Sequence, residues 1–213
     1  MTFRFDVSGR RWQAVPAPAL PRRHKDWLTR GGALTRHLGA LGRVSVRVVA
    51  ERVMPADADQ CRAIGVAPRT PMWARDVILL LDGEPVVVAH SVTPLTHSRS
   101  IWQAMRRLRT RPLADLLYHD PSVTRSVLVS SPLGPRHRLH GRARHDARDP
   151  LVGANPRARL WARRSVFLRH GAPLLVTEAF LPRFWRRLQA TEAAQTGQAA
   201  RARLCASGSK AHA

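Results

Sequence analysis

Lysine is almost missing from this 213-residue chain, with Lys25 and Lys210 the only two among 36 basic side chains. Acidic residues are also scarce, 14 in all, which leaves a formal net charge of +22. Nucleic-acid binders gather such charge into a patch or stripe that neutralises phosphates. Here arginine is spread through the whole chain beside abundant alanine, which reads as a compositional bias of the source genome, and no nucleic-acid partner is expected. The positive field still favours encounter with an anionic small molecule at modest salt. Two cysteines, Cys61 and Cys205, are too few for a disulfide framework or a zinc site and suit a reducing cytoplasm. No run approaches the roughly 20 apolar residues that span a bilayer, and Met1–Gly9 lacks a signal-peptide apolar core. A soluble, cytoplasmic protein without an integral membrane segment is expected. A glycine-rich phosphate loop opening a helix and a GxSxG nucleophile elbow are both missing. His137, His140 and His145 with Asp146 mimic a metal cluster, but no helix is evident to align them and the surrounding arginines repel a cation, so no metal is expected.

What is present is a 44% hydrophobic composition, enough for one sizeable core. Arg22–Leu41 carries Trp27, Leu28, Leu34, Leu38 and Leu41 at helical spacing, interrupted by Gly31-Gly32, which predicts two short helices joined by a hinge. Val44–Met54 predicts a strand and Ala56–Ile64 a short helix. Met72–Leu81 and Val86–Thr93 flank Asp82-Gly83-Glu84-Pro85, an antiparallel hairpin signal. Ser100–Leu108 and Pro112–Tyr118 predict short helices, and Ser122–Ser131 a further strand. The Arg-, His-, Gly- and Pro-rich stretch Pro132–Pro156 predicts an exposed irregular loop. Leu160–Arg169, a bend at His170-Gly171-Ala172 and Pro173–Leu181 predict a second hairpin. Beyond Arg187 the apolar face fades, which predicts a frayed helix or disorder. The domain organisation expected is one catalytic domain over residues 1–187 and a polar, flexible tail over 188–213. Antiparallel strands with helices between them define an α+β class.

Two charged residues interrupt the apolar faces of the hairpins. Side chains alternate along a strand, so Arg75 shares a face with Trp73, Val77, Leu79 and Leu81, and Glu178 with Leu174, Val176 and Phe180. Burying either group alone costs several kcal/mol, so each needs a protein partner or a ligand. For Arg75 the choice lies between clamping a carboxylate through its planar fork and a salt bridge to Asp76, Asp82 or Glu178. Glu178 either accepts a hydroxyl hydrogen bond or exchanges a proton, or it pairs with Arg75 or Arg164. Of Arg163-Arg164 one must face inward. Arg164, with Leu160, Ala162, Val166 and Leu168 on its face, is either a second anion clamp or the partner of Glu178. His90, among Val86, Val88 and Val92, reads as a hydrogen-bonded core histidine.

The segments WARDVILLLDGEPVVVAHSVTP (Trp73–Pro94), RPLADLLY (Arg111–Tyr118) and LWARRSVFLRHGAPLLVTEAFLP (Leu160–Pro182) together resemble the chorismate lyase family. A fainter echo is DWL…LT at Asp26–Thr35, and the resemblance reaches from about Trp27 to Pro182. It implies an antiparallel sheet of about six strands with helices covering a buried ligand site. It also implies conversion of chorismate to 4-hydroxybenzoate and pyruvate without a cofactor, the first step of ubiquinone biosynthesis. A monomer is expected. By this resemblance Arg75 binds the ring carboxylate together with the backbone at Leu34. Glu178 holds the ring hydroxyl, assisted by the backbone N–H of Leu113. The chemistry of a dianionic substrate, apart from the resemblance, suggests Arg164 as the group that neutralises the departing carboxylate. Ala114 departs from the glycine of some relatives, which bears on how closely that turn approaches a ligand. The alternative function is a non-catalytic, ligand-sensing domain of the same fold.

Overall fold

The computed structural model describes residues 11–155 and 157–194. Its frame is a fully antiparallel sheet built from seven strand segments: β1 (Val44–Pro55), β2 (Pro71–Leu81), β3 (Glu84–Pro94), β4 (Val123–Arg125), β5 (Val129–Leu133), β6 (Leu160–Arg169) and β7 (Ala172–Phe180), in the order β1-β2-β3-β7-β6-β4. Segment β5 also pairs with β6. Because β4 meets the Phe167–Arg169 end of β6 and β5 the Leu160–Arg164 end, the two are pieces of one broken edge strand, and the sheet is six strands wide. The continuous strand expected over Ser122–Ser131 is interrupted where Ser126 bonds Val166 through both its backbone and its hydroxyl.

Both hairpins turn on two residues with positive φ, Asp82 (52°) and Gly83 (84°), and His170 (46°) and Gly171 (78°). That is the I′ geometry whose twist matches antiparallel strands. The second turn is one residue shorter than the predicted bend, because Ala172 already pairs with Arg169. A one-residue change of register exchanges the faces that oppose each other, and it decides which arginine meets Glu178.

Helices cover both sides of the sheet. On the front, α1 (Arg22–Thr29) and α2 (Leu34–Gly39) bury Trp27, Leu28, Leu34 and Leu38 against Val46, Leu79, Val87 and Phe180. At the other end of that face α4 (Leu95–Ser98), a 3-10 turn (Gln103–Arg107) and α5 (Ala114–Tyr118) pack Trp102, Met105 and Leu117 on Trp73, Phe167 and Leu174. The two apolar clusters leave a gap between them. The back face is covered by α3 (Ala58–Ile64), α6 (Arg138–His145) and α7 (Pro150–Ala154), with Ile64, Leu139, Ala143 and Val152 packed on Ile78, Val88, Val92 and Leu175.

The helices α6 and α7 replace the irregular loop expected over Pro132–Pro156. His137 caps α6 by accepting Leu139 N–H at 3.2 Å, and Leu139 and Ala143, four residues apart, are fully buried. Asp149 caps α7 with Pro150 in its first turn, a start signal present in the sequence. A final helix, α8, spans residues 182–194 and crosses the 187/188 boundary with Phe184 and Leu188 in the front cluster. The remainder of the polar tail, with Cys205 and Lys210, lies outside the described residues. Among the described residues no helix is long and apolar enough to cross a membrane.

Candidate functional site

Register alone assembles the site. Arg75 pairs with Ser91, Ser91 with Val176 and Val176 with Ser165, so these four share one row across the front face. The next row runs Val77, Ala89, Glu178, Arg163. Arg75 and Glu178 therefore point to the same side, two strands or roughly 10 Å apart across the sheet. These rows lie in the gap between the two apolar clusters and form the floor of a cavity with about 640 Å³ of free space, its open mouth included. The roof comes from Gly32, Leu34 and Thr35 on one side and Pro112, Leu113, Ala114, Leu117 and Tyr118 on the other. Leu34 is the first residue of α2 and Leu113 precedes α5, positions whose backbone N–H groups have no partner within their own helix.

The lining residues include three guanidiniums, Arg75, Arg125 and Arg163, against the single carboxylate of Glu178. Arg75 is 2% exposed. It spends two of its five donors, Nη1 to Glu51 Oε1 and Nη2 to the Arg109 carbonyl, each at 2.5 Å. Its partners are thus none of Asp76, Asp82 or Glu178. Arg109 holds that carbonyl in place with φ at 51°, a strained value for a non-glycine residue.

Glu178 pairs with Arg163, whose Nε donates to Oε2 at 2.7 Å. Arg163 Nη1 also reaches the carbonyls of Trp27 and Arg30, both at 2.9 Å, and so ties the end of α1 to the sheet. Arg125 donates through Nε to Ser165 Oγ at 2.9 Å and through Nη1 to the Gly32 carbonyl at 3.4 Å. Tyr118 donates its hydroxyl to the same carbonyl at 2.8 Å, which closes the roof between the two helical flaps. Burial pushes the Tyr118 hydroxyl above its usual pKa despite the nearby Arg125, and burial pulls Arg125 below its own.

Arg164 is elsewhere. It lies on the back face, with Nη1 on Asp59 Oδ2 at 2.5 Å and its guanidinium 4.2 Å from the Trp12 ring centroid. The row it occupies runs Asp76, His90, Thr177, Arg164. The placement of Arg164 as an anion clamp in the cavity, or as the partner of Glu178, rested on its apolar face-mates Leu160, Ala162 and Val166, which belong to the back core, and the two-residue turn sets Arg163 opposite Glu178 instead. Arg163 was readable from the sequence by counting back from His170-Gly171. Arg125 and Tyr118 were not, since only the fold of the broken edge strand and of α5 brings them to the cavity.

His90 is hydrogen-bonded as its face implied. Gln60 Oε1 accepts Asp57 N–H at 3.1 Å, which orients the amide so that Nε2 donates to His90 Nε2 at 3.0 Å. The other ring nitrogen, Nδ1, then carries the proton that goes to Asp76 Oδ1 at 2.5 Å. Burial lowers the His90 pKa. For Asp76 burial acts upward, but the His90 hydrogen bond and the charges of Arg138 and Arg142 outweigh it and hold the pKa down to about 2. His140 is buried and bonds the Ala158 carbonyl at 2.8 Å. Among the described residues no group of three or more His, Cys, Asp or Glu side chains gathers as a metal site.

A family model described as chorismate lyase matches residues 10–190. A protein of Bordetella avium named "Probable chorismate pyruvate-lyase" is 49% identical over 181 residues, 82% of this chain and 85% of the relative. A protein of Burkholderia pseudomallei named "Probable chorismate pyruvate-lyase 1" is 36% identical over 174 residues, 82% of this chain and 91% of the relative. Among solved structures, a GntR-family transcriptional regulator from Bacillus cereus superposes with a TM-score of 0.48 at 9% identity, covering 66% of this chain and 92% of that one.

Proposed function

The chain belongs to the chorismate lyase family, and from that premise we propose that it eliminates pyruvate from chorismate to give 4-hydroxybenzoate, the first step of ubiquinone biosynthesis, without a cofactor. The observation that carries the reading is that Arg75 and Glu178, from separate hairpins, line one cavity whose charge surplus is positive. Chorismate is a dianion with a carboxylate at ring position 1 and a hydroxyl at position 4, opposite each other across the ring. Arg75 binds the carboxylate with the backbone N–H of Leu34. Glu178 takes the hydroxyl, with the backbone N–H of Leu113 beside it.

In the reaction the ether bond at C3 breaks and its electron pair leaves with the enolpyruvyl oxygen. The C4–H bond supplies the pair that completes the aromatic ring. The proton lost from C4 is balanced by one gained at the enolpyruvyl methylene as the enol becomes pyruvate. Aromatisation supplies much of the driving force, so the protein's task is to orient the dianion and stabilise the charge moving onto the ether oxygen. The flaps exclude water while this occurs. The same reading places the protein in the cytoplasm as a monomer, acting on a small molecule rather than a nucleic acid. Incubation of purified protein with chorismate, followed by chromatography, tests it: 4-hydroxybenzoate and pyruvate are expected in equal amounts. No product at high enzyme concentration sinks the reading.

A further inference from the structure

Arg163 contains an unexplained feature. Its side chain is fully buried, and Nε and Nη1 are used, yet Nη2 has no hydrogen-bond partner among the described residues. A buried donor left unpaired costs about 1–3 kcal/mol, more when the group is charged. The residue lines the cavity, so a ligand oxygen is the natural partner for that nitrogen. Arg125, on the same cavity wall, directs its hydrogen bonds to the neutral Ser165 hydroxyl and Gly32 carbonyl. Two guanidiniums thus meet near Glu178, and one carboxylate does not neutralise both.

Resting on the proposed lyase reading, we propose that Arg163 and Arg125 form a second carboxylate subsite that holds the enolpyruvyl carboxylate of chorismate. The geometry of the substrate fits. Its ether carbon C3 adjoins C4, so the enolpyruvyl arm lies at the hydroxyl end of the ring, beside Glu178. Arg163 stands opposite Glu178 on the adjacent strand, whereas Arg75 is three strands from Arg163, roughly 14 Å across the sheet. The ring carboxylate and the arm carboxylate therefore have separate clamps. As the C3–O bond breaks, negative charge gathers on the ether oxygen next to the arm carboxylate, within the field of the same two cations.

The test uses two unreactive ligands: 4-hydroxybenzoate, and the same ring carrying a carboxymethoxy group at position 3. They share the ring carboxylate and hydroxyl and differ by the carboxylate arm. Titration of the full chain by tryptophan fluorescence or calorimetry is expected to show tighter binding of the diacid. Arg125→Gln and, separately, Arg163→Lys, which keeps a cation opposite Glu178, are expected to reduce that preference about tenfold or more, any loss common to both ligands from a loosened flap or a shifted Glu178 cancelling in the ratio. Arg75→Gln weakens both ligands and keeps the preference. Equal weakening of both ligands by Arg125→Gln and Arg163→Lys, an unaltered preference, or no preference in the wild type overturns the subsite. Wild-type turnover of chorismate is read separately: its absence removes the lyase reading, while the ligand preference still judges the subsite.

Discussion

Arg75 and Glu178 differ in how the protein occupies them before any ligand arrives. The first is oriented by Glu51 and by the carbonyl of Arg109, and the second by Arg163. Both side chains are therefore held in place by the fold rather than left to find their conformations on binding, which lowers the entropic cost of substrate capture. Arg75→Ala is expected to lower kcat/KM by about 10- to 150-fold, the value of a charge-assisted hydrogen bond; wild-type turnover and affinity would reject the ring-carboxylate assignment. Glu178→Gln keeps an acceptor for the hydroxyl but not the charge. Steady-state kinetics should show kcat reduced with KM little changed, and the reverse split would make Glu178 a binding residue alone.

At the level of elements, the cavity is a gap bridged by two flaps. Gly32 sits at the hinge between α1 and α2 with φ at 79°, in the region that glycine enters without penalty. A Cβ there would approach His37 Nε2 to 3.3 Å. The carbonyl of the same residue is where Tyr118 and Arg125 attach the opposite flap. Tyr118→Phe removes a hydrogen bond worth about 1 kcal/mol, and the dissociation rate of 4-hydroxybenzoate measured by stopped flow should rise roughly fivefold. An unchanged rate would show that this clasp does not gate release. On the back face α6 depends on Leu139, which is fully buried, so Leu139→Ala should cost about 2–5 kcal/mol in urea denaturation with little effect on kcat.

Over the whole molecule, polar residues lie back to back through one sheet, in two rows on the front face and one on the back. The front rows line the cavity, and the back row belongs to a network around Asp76 and His90. That network sets how stability depends on pH. Burial holds the His137 pKa down to about 4 and lowers that of His90, so the folded state keeps both neutral while the unfolded chain takes up protons from about pH 6.5. Stability is therefore lost as pH falls from about 6.5 towards 4, by about 2–3 kcal/mol from His137 alone. Asp76, with its pKa near 2, contributes stability that is complete above the ordinary carboxylate range and is lost as pH falls from that range through about 2. Thermal melts at pH 7 and pH 4.5 should show the midpoint lower at the acid value, and a flat profile would contradict these assignments. The net charge of +22 adds a salt effect: KM for a dianion should rise between low and physiological ionic strength as screening shortens the field.

By alternation alone the sequence determined that Arg75 and Glu178 each face an apolar side of a hairpin, and by its paired turn residues that two antiparallel hairpins form. Period-two geometry is local, so those statements needed no partner strand. It also contained the pairing of Arg163 with Glu178, but only through the length of one turn, and a one-residue difference there moves every opposing side chain to the other face. The helices α6 and α7 were obscured by composition: arginine and histidine mask a short apolar spacing that shows its meaning only against the back of the sheet. Tertiary structure alone decided that both hairpins turn their charged faces to the same side, since β3 must pair with β7 for Arg75 and Glu178 to share a cavity. It alone brought Arg125 and Tyr118 over that cavity from segments distant in the chain. Long-range pairing of strands is a property of the whole sheet, which no local run of residues encodes.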